Sequence, residues 1–383
     1  SGANKDRFHF TAPTDNFQAQ SQSGISGGYG ATFAVLNSTP PRQVVVAYTE
    51  PNTPATDPLI RLLRGATILE VDGADLVNGN AVGTLNGGLF PDDDETHTFL
   101  IQDADGSEPR TIEITATQIV SSPVQNVLTV ETNTGVVGYM TFNDHIGPAE
   151  QQLIDAVAVL RDAQITDLVL DMRYNGGGFL DIANELAAMI AGPVSTSGQT
   201  FEQLEFNDKH QTFDPVTNRL LSPTLFHTSA RGFSTTRGTP LPALNLNRLF
   251  ILAGPGTCSA SESIINGLRG IDVEVVLVGA TTCGKPYGFY PFDNCGTTYF
   301  SIQFRGVNEA GFGDYTDGFS PANVPQTEGV SVPGCFVSDD FTRQLGDPLE
   351  GRFRAALQFR EDGTCPTTIG GNARIRNITP GHQ

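Results

Sequence analysis

Positive charge is scarce in this chain. Its 383 residues carry 22 Lys and Arg against 42 Asp and Glu, a formal charge of −20. That balance disfavours a nucleic-acid partner, because phosphate binding needs clustered cations, and it disfavours an anionic membrane surface. Lysine is the scarcer cation, with Lys5, Lys209 and Lys285 alone. A lysine in such a chain is a candidate for chemical work, because it can release a proton where arginine cannot. Apolar runs are short, and none approaches the roughly 20 residues that span a bilayer. The polar start Ser1-Gly2-Ala3-Asn4-Lys5 has no signal-peptide pattern, so any export signal would lie outside this sequence. Closely spaced cysteines are missing as well. Cys258, Cys283, Cys295, Cys335 and Cys365 contain no CxxC, and no His/Cys cluster has zinc-ligand spacing, so no metal or cofactor is expected. One or two disulfides with one thiol left over suits an exported protein, and Cys335 with Cys365 is the first candidate pair.

What is present is enough for two or three domains: 38% hydrophobic residues for cores, with 42 Gly and 24 Pro for turns. Residues 1–23 are polar and read as a lead-in. Residues 24–120 then show short β-type runs at 31–36, 43–47, 66–71, 98–101 and 111–115, with a short helical candidate at 57–63. The run RGATILEVDG at 64–73 is a turn, an apolar strand and an Asp-Gly hairpin closure. The acidic stretch at 91–95 lacks the spacing of a calcium loop and reads as an exposed loop.

Residues 121–366 alternate strand and helix. Strand-like 136–142 leads to 148–161, where Leu153, Ile154, Val157 and Leu160 recur at helical spacing behind Pro148. Leu168-Val169-Leu170 reads as a buried strand, ending in DMRYNGGG at 171–178, and Ile182, Leu186, Met189 and Ile190 mark a second helix. The order resumes at 249–253, a helix from Ser259, and 275–278, which implies an α/β core with parallel pairing. Between lie a strand or hairpin at 200–207 and a long surface excursion at 211–242. A strand pair at 288–305 and a helix at 353–359 follow, and residues 367–383 read as a poorly ordered tail.

Three features then converge. Ser259 opens the helix after one strand, Lys285 lies 26 residues later past the next strand, and the glycines 176–178 end a third strand. Parallel neighbours place their C-terminal ends side by side, so nucleophile, base and anion-stabilising amides meet at one sheet edge, the requirement for acyl transfer.

These residues carry two family resemblances. RGATILEVDG, with Ala66 where an acidic residue is usual, resembles a PDZ domain, and Gly27-Gly28-Tyr29-Gly30 stands where such domains capture a peptide carboxylate. SASE at 259–262, GK at 284–285 and DMRYNGGG at 171–178 together resemble the C-terminal processing, or tail-specific, serine peptidases, over nearly the whole chain. That family joins a PDZ domain to a crotonase-like α/β core and uses a Ser-Lys dyad. The resemblance implies Ser259 as nucleophile, Lys285 as general base, the amides of Gly177 and Ala260 as oxyanion hole, and Gly28, Tyr29 and Gly30 as peptide-binding residues. It implies a polypeptide substrate and an extracytoplasmic location, and leaves a homo-oligomer open. Many relatives carry a Gln four residues after the lysine, where this chain has Phe289. Either another group orients Lys285, or the dyad works alone, or activity is reduced.

A lysine base must be neutral, which requires a fall of about 3 units from 10.4, within reach of burial. Glu262 is the acid to weigh, and helix N-terminal amides are its expected partners. Alternatives stand beside this reading. Ser259 could be a simple N-cap, a neighbouring disulfide accounts for Cys258, and His145, His210 and His227 fall in no motif. Tyr174 and Phe179 read as packing residues. A binding protein that keeps the peptidase fold without turnover is the alternative function.

Overall fold

Strands buried on both faces organise the larger part of the molecule. A computed structural model describes residues 8–324, 329–366 and 376–378. Within it, Asp167–Asp171 is buried at every position and Arg248–Ala253 at all but its first, as near-continuous apolar runs in a parallel sheet must be. The six-stranded sheet runs in the order Val124–Thr132, Gly135–Phe142, Asp167–Asp171, Arg248–Ala253, Glu274–Gly279, Gly334–Phe336. Its first pair is antiparallel and the rest are parallel.

Helices α3 (Ala149–Asp162), α4 (Leu180–Thr196) and α5 (Ala260–Gly270) cover one face, where Leu153, Val157, Ile182, Leu186, Ile264 and Leu268 join one core. Phe353, Ala355 and Ala356 of α6 (Gly351–Asp362) close the other. The α/β core read from the sequence is met.

The N-terminal third builds its own core. Arg110–Thr115 alternates, with Ile112 and Ile114 buried and Thr111, Glu113 and Thr115 exposed, the period of a half-buried strand. The antiparallel sheet runs Arg376–Ile378, Ala31–Asn37, Gln43–Thr49, Thr67–Val71, Thr96–Gln102, Arg110–Thr115. Phe33, Val46, Ile68, Phe99 and Ile112 pack on one side of it, against Leu85 of α2 (Val82–Leu89).

One expectation is corrected. Residues 57–63 are not helical. A single 3-10 turn, Pro54–Thr56, is followed by irregular backbone, because Asp57 takes the Leu59 N–H at 2.8 Å and Arg61 turns left-handed at φ 46°. The described part of the lead-in contributes a strand and a helix. Phe10–Pro13 pairs antiparallel with Thr297–Phe300, and α1 (Thr14–Ser23) follows. Its anchors are aromatic: Phe10 stacks on Phe300 at 4.2 Å and Phe17 meets the same ring edge-on at 4.8 Å. The tail expected at 367–383 lies outside the described residues apart from the strand Arg376–Ile378.

The long excursion is tethered beside the glycine turn. Buried Glu150 of α3 accepts N–H bonds from Gly232, Ser234 and Thr235, while Glu185 of α4 accepts that of Arg231. Phe233 then packs on Phe179, directly after the glycines, at 4.7 Å. Cysteines pair as Cys258–Cys283 and Cys335–Cys365, leaving Cys295 free and exposed.

Candidate active site

Parallel register decides what meets at the sheet edge. Asp171 lies opposite Leu252, and Ala253 opposite Gly279, so the three loops that follow these strands emerge together. The middle loop ends at Ser259, with φ 55° and ψ −117°, immediately before α5. A non-glycine residue in that region costs of order 1–3 kcal/mol and persists only where its surroundings hold it. Those surroundings are on view. Thr257 Oγ1 donates to the Met172 carbonyl at 2.9 Å, Cys258 N–H to the Asn175 carbonyl at 3.1 Å, and Ser261 Oγ to the same carbonyl at 3.0 Å. The strained serine is therefore stitched to the glycine turn, as in a strand-to-helix nucleophile elbow.

Gly177 makes that contact sterically possible. At φ +99°, a Cβ there would stand 2.8 Å from Ser259 Cβ and 3.0 Å from the Ala260 nitrogen, so only glycine fits. Its N–H donates to Asn175 Oδ1 at 3.0 Å, and the Asn175 amide is held in turn by its own bond to the Phe142 carbonyl at 2.9 Å. The Gly177 amide is thus engaged within the turn. Ala260, the first residue of α5, sits at the helix N-terminus, where N–H groups lack intrahelical partners.

Lys285 is placed by the third loop. Gly284, at φ +76°, brings that loop against the Thr316 carbonyl, 2.3 Å from where a Cβ would be. One fully buried carboxylate joins the loops. Glu262 of α5 accepts from the Ser259 N–H at 3.0 Å and the Lys285 N–H at 2.8 Å, both on Oε2, while Oε1 accepts from Thr282 Oγ1 at 2.5 Å and the Gly284 N–H at 2.8 Å. The main chains of Ser259 and Lys285 are therefore two hydrogen bonds apart. The Cys258–Cys283 disulfide ties the residue before the serine to the same loop.

Burial pushes the Lys285 amine down to about 8, with the Glu262 carboxylate pulling the other way. Its Nζ lies 4.5 Å from the centre of the Phe289 ring and 5.6 Å from that of Phe8. Atoms of Cys258, Glu262 and Cys283 fall within 4.8 Å of one another, a spacing that would suit a metal ion. The two sulfurs are bonded to each other and the carboxylate faces four donors, so the set does not fit one.

His145 is the residue that motif reading passed over. Its main chain bridges to Gly178, its N–H donates to the Gly177 carbonyl at 3.2 Å, and its carbonyl accepts the Phe179 N–H at 2.8 Å. The buried ring places Nδ1 2.9 Å from Asn175 Oδ1, and burial drives its pKa down to about 3, so the imidazole is neutral. It braces the turn from behind. Its only signal in the sequence is its place just past an apolar strand that ends at this edge. His227 pairs with Asp181 at 2.6 Å and His210 is exposed.

Gly28, Tyr29 and Gly30 belong to the N-terminal core. Tyr29 is buried, with its hydroxyl donating to the Gly88 carbonyl at 2.9 Å and its ring edge-on to Phe99, so it packs and does not offer a contact surface. Gly28 ends the strand Ile25–Gly28, and Gly30 immediately precedes the strand Ala31–Asn37.

No curated protein matches the chain in sequence. Among solved structures, a putative S41 protease from Bacteroides fragilis shares its fold, with TM-score 0.65, 21% identity, and coverage of 91% of this chain and 88% of that one. The photosystem II D1 C-terminal processing protease is a more distant likeness, with TM-score 0.46, 19% identity, and coverage of 86% and 78%. Residues 133–291, which hold Ser259, Lys285, Glu262 and the glycine turn, match the model of peptidase family S41. That segment, less than half of the chain, carries the likeness to peptidase family S41.

Proposed function

We propose that Ser259 is the nucleophile and Lys285 its general base in peptide-bond hydrolysis. The carrying observation is the shared Glu262 oxygen, which fixes both main chains to one buried anchor. Neutral Lys285 takes the Ser259 proton as Oγ attacks the scissile carbonyl. The oxyanion forms at the N-terminus of α5, where the Ala260 N–H and the helix dipole favour negative charge, with Gly177 joining if its amide turns from Asn175. The lysine then passes its proton to the departing amine, leaving an acyl-Ser259. Water, deprotonated by the same lysine, releases the acid.

Residues 24–120 act in this reading as a PDZ-like domain that holds an extended, unfolded or C-terminally exposed polypeptide by strand addition. Support comes from the outer edge of Ala31–Asn37, which takes the chain's own Arg376–Ile378 as an antiparallel neighbour. The two disulfides favour an oxidising, extracytoplasmic setting.

The pH profile tests the base. Lysine acts when neutral, so kcat/KM for an unfolded substrate is expected to rise about tenfold per pH unit below about 8 and to level above it. A profile flat from pH 6 to 9 would contradict a lysine base.

A further inference from the structure

Two aromatic rings from distant parts of the chain close over the Lys285 amine. Phe289 comes from the lysine's own loop, with its ring centre 4.5 Å from Nζ. Phe8, at 5.6 Å, arrives with the N-terminal segment. The approach of both is fixed by packing. Phe10 opens the strand that pairs with Thr297–Phe300, stacks on Phe300 at 4.2 Å and meets Phe289 at 5.8 Å. Phe289 contacts Phe300 at 5.2 Å, and Phe8 lies 6.4 Å from Tyr287. The segment read as a lead-in therefore walls the lysine.

We propose that Phe8 and Phe289 are positioning residues, forming an aromatic cage that aims Lys285 and keeps water from its amine. The inference rests on the reading of Lys285 as the base and assigns the orienting role to rings. A ring accepts no strong hydrogen bond from a neutral amine, so it acts in two opposing ways. Its face attracts the ammonium, while its bulk excludes water and disfavours the ammonium. Exclusion prevails at Lys285, whose pKa is pressed downward by burial. The titratable group acting on it is Glu262 from α5, whose carboxylate is bound by four donors.

The opposing effects let substitutions separate them. Phe289→Ala and Phe8→Ala admit water, whereas Phe289→Leu keeps apolar bulk and removes the ring. Scarcity of lysine makes the amine directly observable, since lysine labelled with carbon-13 at Cε gives resonances from three residues, assigned by Lys285→Arg. The wild-type protein should show one lysine titrating near 8. Each alanine variant should raise that midpoint by about one unit or more, and the acid limb of hydrolysis should follow by the same amount. Phe289→Leu should leave the midpoint at or below the wild-type value.

An unchanged midpoint in Phe8→Ala or in Phe289→Ala overturns the cage, and so does a rise in Phe289→Leu as large as in Phe289→Ala. Should Phe289→Ala fail to fold, Phe8→Ala at the chain's periphery carries the same test. The titration is read without turnover, so failure of the dyad, seen as hydrolysis surviving Lys285→Ala, remains distinguishable from failure of the cage.

Discussion

Ser259→Ala is expected to remove hydrolysis of an unfolded polypeptide, with kcat falling on the order of 10⁴-fold or more. The magnitude follows from the role proposed for the side chain. Without Oγ no acyl-enzyme forms, and the residual rate comes only from substrate binding and the dipole of α5. Lys285→Ala should cost a similar amount, because nucleophile and base act as a unit and their losses do not add. Folding should survive both changes. Glu262 binds the two residues through main-chain N–H groups that alanine retains. Kinetics on a casein-like substrate, with circular dichroism as a control for folding, measures both expectations.

The second large effect concerns stability, at the junction of the two cores. Arg64, in the run that resembles a PDZ strand, reaches across to the core sheet. Its guanidinium donates to Asp339 at 2.7 Å, the Tyr174 hydroxyl at 2.5 Å and the Ala47 carbonyl at 2.6 Å, and it lies over the Phe341 ring at 4.5 Å. Arg173 donates to Asp171, to Glu350 and, at 2.6 Å, to the same Asp339. Burial alone would raise the Asp339 carboxyl, but the guanidiniums of Arg64, Arg173 and Arg352 hold it well below the usual carboxylate range.

Asp339→Ala leaves two buried cations short of one carboxylate and strips the Tyr174 hydroxyl of its acceptor. Breaking a buried charge pair in this way costs about 3–5 kcal/mol, read as a lower urea midpoint. Activity should fall too, since Arg173 and Tyr174 lead directly into the turn that braces Ser259. A loss under about 1 kcal/mol would mean that water reaches the network and screens it.

What the sequence discloses depends on the range of the forces involved. The α/β core is legible because buried parallel strands and amphipathic helices each impose a local period, as in Leu168-Val169-Leu170 and in Leu153, Val157 and Leu160. Ser259 and Lys285 are legible for the same reason, since strand ends in a parallel sheet fall side by side. Glu262 was only half legible. Its place in the first turn of α5 marks it as a partner for helix amides, and it does take the Ser259 N–H. Its other three donors come from Thr282, Gly284 and Lys285, which only loop-to-loop packing brings near.

The strand and helix of the lead-in are not legible in the sequence because their anchors are spaced aromatics, Phe8, Phe10 and Phe17, in a polar stretch without aliphatic periodicity. Phe289 stands where a polar partner for the lysine is usual, and it turns its ring to the amine instead. Tyr29 shows the reverse: its glycine neighbours suggest a ligand loop, while its own bulk belongs to the core. Asn175 capturing the Gly177 amide is a two-residue turn that any Asn-Gly-Gly run can form or forgo, so sequence leaves it open.

The most direct test of the account is covalent labelling by a fluorophosphonate probe, with the adduct located by peptide mass mapping across a pH series. A single adduct is expected, on the peptide that contains Ser259. Its rate of formation should increase with pH up to about 8 and be lost in Lys285→Ala. An adduct on another residue, or labelling of Ser259 at an undiminished rate without Lys285, would contradict it.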